Sequence, residues 1–216
     1  MTDVWSERAE AYRTSEHREG ADLERLVEWC EPGDGVLALD VATGGGHVAR
    51  RLREGGCTVT TLDPAPGMGA DVLARAEEIP FADGSFDVVA CRIAPHHFED
   101  VRVAMAEMAR VSRDRVVVED TLYHSERVEE AERLRDPTHV RSLSEAEWRG
   151  LFADADLRVD AAERFEKRHP LEPWLERAGC TGEEAERVRA LLADAIVGGD
   201  YVDCKLVLRG RKGGER

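Results

Sequence analysis

Apolar positions along the chain switch between two spacings, and the switch outlines the elements. Leu23, Leu26, Val27 and Cys30 fall at i, i+3, i+4 and i+7, one stripe of a helix that follows polar helical segments at the N-terminus. Glu31-Pro32-Gly33-Asp34-Gly35 ends that helix, and a short apolar run, Val36–Val41, reads as the first strand. A helix from about Gly46 to Glu54 is stopped by Gly55-Gly56, and a second strand follows at Cys57–Leu62. Phe86–Cys91 is a short apolar run suited to a strand covered on both faces. Val101, Met105, Met108 and Val111 mark the next helix, and Arg115–Glu119 the next strand. Helices are expected around Ser125–Leu134 and Ser144–Ala153, where Glu145, Glu147 and Trp148 after Ser144 suit a capped start. A strand near Leu157–Ala162, an amphipathic helix over Glu183–Ala195 and a closing strand at Tyr201–Leu208 complete the pattern. Alternating strands and helices predict an α/β fold with a doubly wound, mostly parallel sheet. Residues 1–210 form one domain with helices near 3–30 at its start, and 211–216 read as a disordered tail.

Composition narrows the class. A chain of 216 residues can bury a substantial core. No 18-residue apolar run and no charged-then-apolar leader is visible, so neither a transmembrane helix nor a secretory signal is expected. The five cysteines are scattered and never form a C-x-x-C pair, which argues against zinc or a disulfide framework and fits a reducing cytoplasm. A net charge of −15 argues against a nucleic-acid substrate, because polyanions are gripped by clustered Lys and Arg. Arginine greatly outnumbers lysine (Lys167, Lys205 and Lys212 only), which bears little on mechanism.

The chemistry concentrates in Val36–Val48, VLALDVATGGGHV, and in TVTTLDP, which ends the second strand. A turn of Gly44, Gly45 and Gly46 lets backbone N–H groups approach a ligand with no Cβ in the way. Asp63 then places a carboxylate where it can hold ribose hydroxyls. Together they predict a nucleoside-cofactor pocket at the carboxyl edge of the sheet. Gly44-x-Gly46-x-x-Ala49 also permits a dinucleotide, so a nicotinamide-dependent oxidoreductase is an alternative that rests on this motif alone.

Further segments separate the readings. DVATGGG with Asp40 four residues before the first glycine, LDPAPGM, IPFADGSFD (Ile79–Asp87), CRIAPHHF, RLRDPTHVRSLSEAEWRGLF and YRTSEHREGADLERLVEW cover most of the chain. Jointly they resemble the class I S-adenosylmethionine-dependent methyltransferases, in particular the ubiquinone/menaquinone-biosynthesis-like type 11 group. The resemblance implies a Rossmann-like sheet with an antiparallel last strand and S-adenosylmethionine as cofactor. It implies that Asp40 accepts a hydrogen bond from the methionine amino group, that Ala42, Thr43, Gly44, Gly45 and Gly46 form a close wall, and that Asp63 with Pro64 holds the ribose. Met68 would lie on the adenine face, with Ala76, Glu77 and Phe81 along the same edge and Cys91 and Arg92 at the end of the next strand. Tyr12 and His17 would belong to a lid. His96 and His97 would remove a proton from a small-molecule methyl acceptor, and His139 and Arg141 would line the substrate side. Each has a plainer reading: a cap for Asp40, a turn residue for Asp63, core filler for Met68, structural rings for His96 and His97, surface placement for His139 and Arg141, and a partner for nearby acids in Arg92. The Glu129–Glu132 acids read as a solvated helix face. Since a sulfonium methyl is already electrophilic, in-line positioning and exclusion of water carry the expected catalysis.

The chain also departs from that group. Only eleven residues separate Met68 from Pro80, where a helix and a third strand are usual, and a parallel crossover needs about a dozen residues or more. Asp71–Glu78 has room for a stubby helix or a short edge strand, with the helix the element expected to be lost. The acid that meets the adenine amine in the group falls at Arg75, which cannot accept a hydrogen bond. A second shortening, at Arg110–Arg115, predicts only a tighter loop. The shortened edge leaves a strand open to a second copy of the chain. A methyltransferase fold retired to a non-catalytic binding or assembly role is the rival functional reading.

Overall fold

Apolar runs place two strands at the centre of one sheet, β1 (Leu37–Val41) and β3 (Phe86–Arg92), and β4 (Ser112–Thr121) joins them through Val116–Val118. β2 (Thr58–Leu62) flanks β1, and β5 (Leu157–Pro170), β6 (Ile196–Val197) and β7 (Asp200–Lys212) extend the other side. The order is β2-β1-β3-β4-β7-β5, with β6 on β7. The first four strands are parallel, and β7 runs antiparallel between β4 and β5, as the resemblance implied. The computed structural model describes residues 4–14 and 16–213, so the extreme ends of the expected N-terminal helices and tail lie outside it. Among the described residues no helix is long and apolar enough to cross a membrane.

Successive strand residues face opposite sides and so feed two cores. Leu39, Val41, Val89, Val116 and Val118 meet Met105 and Met108 of α4 (Val101–Val111) and Trp148 and Phe152 of α6 (Glu145–Asp154). Ala38, Val88, Ala90 and Val117 meet Leu23 and Leu26 of α2 (Ala21–Trp29) and Val48 and Leu52 of α3 (His47–Glu54). Ser144 and Glu147 close the capping box expected at the start of α6. A third apolar cluster joins α5 (Glu126–Arg135), α7 (Leu171–Arg177) and α8 (Gly182–Leu191) beneath β7. α1 (Val4–Arg13) lies over the carboxyl edge, with Ala9 packed on Ala65 and Met68.

The shortened segment after Met68 forms no helix. Its third strand is reduced to one parallel bridge, Leu62 to Val72. Asp71 takes over part of the missing pairing: its Oδ2 accepts from the Thr61 N–H at 2.9 Å and from Thr61 Oγ1 at 2.7 Å. α4 passes directly into β4 at Val111–Ser112, so the second shortening removes the loop altogether.

Four expectations change. β5 runs to Pro170 because the polar residues beyond Ala162 keep a strict alternation on its exposed face. The helix expected to reach Ala195 ends at Leu191. The tail is ordered through Lys212, with Gly210 buried in β7 where a Cβ would lie 2.3 Å from the Phe152 ring, leaving only residues 214–216 undescribed. The acids of α5 are not all solvated: Glu129 accepts from His139 Nε2 at 3.1 Å and from the Ser142 N–H at 3.2 Å, and Glu132 accepts from the Tyr201 hydroxyl at 3.2 Å.

Candidate active site

β1 ends at Asp40 and Val41, and the chain then turns through Ala42 (φ 53°), Gly44 (φ 50°) and Gly46 (φ 75°) into α3. Positive φ comes freely to glycine, whereas Ala42 carries strain on the order of 1–3 kcal/mol. Both hydrogen bonds to Asp40 end on Oδ2, from Thr43 Oγ1 at 2.5 Å and the Ala49 N–H at 3.1 Å. Asp63 accepts the Gly44 N–H on Oδ2 at 3.0 Å and the Ala65 N–H on Oδ1 at 2.9 Å, so the two strand-end carboxylates brace one turn. Burial pushes the Asp40 carboxyl up to about 6, against the pull of its Thr43 and Ala49 bonds, with nearby Asp63 adding to the rise. A buried acid of this kind is ready for a cationic partner.

These residues open onto a cavity of about 380 Å³. Asp40, Ala42, Thr43, Gly44, Gly45, Asp63 and Pro64 form one wall, and Met68, Ala76 and Glu77 another. Tyr12 and His17 come from the N-terminal segment, joined by Trp5, which the sequence reading missed. α1 is held in place at several points. Ser6 Oγ accepts the Gly67 N–H at 2.7 Å, Arg13 donates to the Gly67 carbonyl at 2.6 Å, and His47 Nε2 lies 2.9 Å from the Tyr12 carbonyl. Arg8 reaches Asp136 at 3.0 Å and the Ala178 carbonyl at 2.8 Å.

A second cavity, of about 50 Å³, adjoins the first and shares Tyr12, His17, Ile93 and His97 with it. His96 lines this smaller cavity, carried on the 3-10 turn Pro95–His97 that follows β3. Its Nδ1 lies 2.6 Å from Asp120 Oδ1, and its backbone N–H donates to Asp120 Oδ2 at 2.8 Å. The Thr121 N–H also donates to Asp120 Oδ1, at 2.9 Å, and the Val140 N–H donates to the His96 carbonyl at 2.8 Å. A carboxylate on Nδ1 fixes the proton there and leaves Nε2 as an acceptor. The His97 ring lies 4.0 Å from that of His96, centroid to centroid, with Nδ1 3.0 Å from the Thr138 carbonyl. Burial, reinforced by His96, pushes His97 well below the ordinary imidazole value, so it is neutral. Ile93, a β-branched residue at φ 49°, holds the strained corner between the cavities.

Not every expected residue faces a cavity. Gly46 caps α3, Phe81 packs edge-on against Phe86, and Cys91 is fully buried in the α4-side core. Arg141 lies outside both cavities, its side chain paired with Glu147, while His139 lines the smaller cavity. Arg92 borders the larger cavity but its guanidinium is committed elsewhere: Nε to Glu119 at 2.6 Å, Nη2 to Asp22 at 2.6 Å and Nη1 to the His17 carbonyl at 2.9 Å. Arg75 lines the first cavity beside Ala76 and Glu77, and Glu77 and Glu99 neutralise it.

Comparison with known proteins agrees with this geometry. A family profile described as "Methyltransferase domain" matches residues 39–118. The chain is 30% identical over 208 residues to the uncharacterized methyltransferase YcgJ of Bacillus subtilis, covering 85% of this chain and 82% of that one. The crystal structure of YcgJ superposes with a TM-score of 0.76 at 25% identity, over 90% of this chain and 99% of that chain. A Bacillus halodurans protein described as a methyltransferase shares the fold at a TM-score of 0.78 and 24% identity, over 90% of this chain and 100% of that chain. A malonyl-[acyl-carrier protein] O-methyltransferase of Erwinia pyrifoliae is 34% identical over 100 residues, 42% of this chain and 38% of that one. The glycine turn between two carboxylates, the antiparallel β7 and the full-length likeness to YcgJ converge: the chain belongs to the class I S-adenosylmethionine-dependent methyltransferases, methyltransferase type 11, and is an enzyme of that family.

Proposed function

We propose that this methyltransferase transfers its methyl group to a small-molecule acceptor by in-line displacement, with His96 as the general base. The observation that carries the reading is the His96–Asp120 pair, 2.6 Å apart, with His96 on the wall of a small cavity that shares Tyr12, His17, Ile93 and His97 with the larger one. When bound, S-adenosylmethionine supplies an electrophilic methyl on a sulfonium. The cavity suits it: Asp40 is a buried carboxylate that the ammonium of the methionine moiety would relieve, Asp63 stands where ribose hydroxyls would donate, and Met68 offers an apolar face to the base. The protein's task is then to orient the acceptor, take its proton at His96 Nε2 and keep water out. The α1 contacts serve the last of these.

The test of the acceptor class is a turnover screen with methyl-labelled cofactor, following the label into product. Label is expected in compounds of a few hundred daltons. Label confined to acyl-carrier-protein conjugates would contradict the reading.

Asp40 makes the cofactor step pH-dependent. Its folded value, about 6, lies above the ordinary 3.8, so below about pH 6 it is protonated and must lose a proton to meet a cation. S-adenosylhomocysteine keeps the amino group, and its affinity is expected to fall about tenfold from pH 7 to pH 5, as one proton taken up by a group near 6 requires. Calorimetric titration across that range checks this, with Asp40→Asn expected to bind more weakly at pH 7 and to flatten the profile.

A further inference from the structure

We infer that β5 is a self-association edge: a second copy of this chain pairs with it antiparallel, about a two-fold axis at Phe165, and joins the two sheets into one. β2 and β5 are the two edges of the sheet. β2 is the edge that the shortened segment was expected to leave open, yet three of its outward backbone groups are taken. The Thr61 N–H donates to Asp71 at 2.9 Å, the Thr61 carbonyl accepts the Val72 N–H at 3.0 Å, and the Val59 carbonyl accepts from Arg53 at 3.2 Å. β5 is not capped in this way. The Leu122 N–H donates to the Cys204 carbonyl, so the Cys204 backbone faces β4, and its neighbours Asp203 and Lys205 face β5. They stand opposite Lys167 and Phe165, whose backbone groups therefore turn inward to β7. Arg164, Glu166 and Arg168 turn theirs outward, and those groups have no partner among the described residues. A row of this kind is a template for another strand.

Charges on an edge strand commonly prevent such pairing. Here their signs select one register instead. Two copies that pair antiparallel about a two-fold axis set like faces together, so the residue on the axis fixes the register. With Phe165 there, Arg164 meets Glu166 of the other copy, twice by symmetry, and Glu163 meets Lys167. Glu163, Arg164, Glu166 or Lys167 on the axis would meet its own like charge. Arg164 and Glu166 are 61% and 65% exposed, and their present partners, Glu145 at 2.7 Å and Arg168 at 3.3 Å, form surface pairs that cost little to rearrange. Glu163 and Lys167 are held by Arg25 at 3.0 Å and Asp22 at 2.9 Å, so the Arg164–Glu166 pairs decide the register. Phe165, half-buried on the α2 side, meets its symmetry mate as a non-hydrogen-bonded pair, where side chains approach closest. Residues 162–168 carry three cations and two acids, so the seam does not share the acidity of a chain with net charge −15. The bulge between Val159 and Ala161 bounds the paired stretch at one end and Pro170 at the other. The two-fold axis puts the two carboxyl edges on opposite sides of the joined sheet, so each copy keeps its own site.

Sedimentation velocity of the full chain at about 5–200 µM tests this, in physiological salt where charges beyond about 8 Å are screened. A dimer that grows with concentration is expected. Arg164→Glu sets a like charge against Glu166 at two symmetric places, and is expected to weaken the dimer about tenfold or more. Arg164→Glu combined with Glu166→Arg restores opposite charges, and is expected to bring the dimer back to within about threefold of the parent. Glu166→Pro removes an outward N–H that the single copy leaves unused, so the dimer is expected to vanish while the far-ultraviolet circular dichroism stays that of the parent. A monomer throughout the concentration range, a dimer indifferent to Glu166→Pro, or a charge swap no better than Arg164→Glu alone would overturn the inference.

Discussion

His96→Gln is expected to lower kcat by about 10²–10⁴-fold while S-adenosylhomocysteine affinity stays within about twofold, the size of effect a positioned general base supplies. The asymmetry follows from placement: His96 lines the smaller cavity and not the larger one. Asp120→Asn is expected to give a loss in the same range. The carboxylate fixes the proton on Nδ1, and an amide can present either its oxygen or its N–H to the ring. Steady-state kinetics beside calorimetric binding separate this from a structural ring, whose loss would weaken binding or stability together with rate.

Arg92→Met should be the most destabilising single change near the site, by about 3–5 kcal/mol, because it strands buried acids. Arg92, Asp22 and Glu119 have side chains only 5%, 3% and 0% exposed. Burial pushes Asp22 up, yet Arg92, Glu119 and Lys167 more than offset it and hold it well below the usual range, whereas burial lifts Glu119 to about 7. Removing the guanidinium takes the counter-charge from both acids and the anchor from the His17 carbonyl, which joins the N-terminal segment to the sheet. Urea unfolding read by tryptophan fluorescence measures the loss. The triple variant Arg92→Met, Asp22→Asn, Glu119→Gln is expected to recover part of it, since no buried acid is then left without a partner. Glu119 adds a pH dependence: its folded value exceeds the ordinary 4.5, so its contribution is full below about 4.5 and is lost as pH rises through about 7.

The frame of this fold is written in the apolar runs. β1 and β3 are covered on both faces, and a strand in that position is apolar nearly throughout, which makes Leu37–Val41 and Phe86–Arg92 conspicuous. Asp40, Gly44 and Asp63 were legible because a ligand-binding turn needs those residue types at those spacings. α7 was missed although Leu171, Trp174 and Leu175 stand at i, i+3 and i+4, because it is short and Pro173 interrupts the signal. Trp5 escaped notice because α1 is mostly polar and its apolar stripe, Trp5, Ala9 and Tyr12, is thin, packing on Ala65 and Met68 beside the polar contacts to Gly67. The smaller cavity had no local signature at all. His17, His96, His139, His169 and Asp203 meet there from widely spaced parts of the chain, and Glu132, one of its walls, sits in a run of acids that resembles a solvated face. Buried polar clusters of this kind follow no period, so only the assembled fold brings them together.

The shortened segment sets the sharpest test. It leaves Arg75 where an acid is usual and one bridge where a strand is usual, yet the cavity beside it is open, with both carboxylates in place. Calorimetric titration of the purified protein with S-adenosylhomocysteine should show a single site in the micromolar range, with Asp63→Ala abolishing the signal. Absence of binding at millimolar ligand, or binding indifferent to Asp63→Ala, would contradict the account, because the cofactor would then have no place between the two strand-end carboxylates.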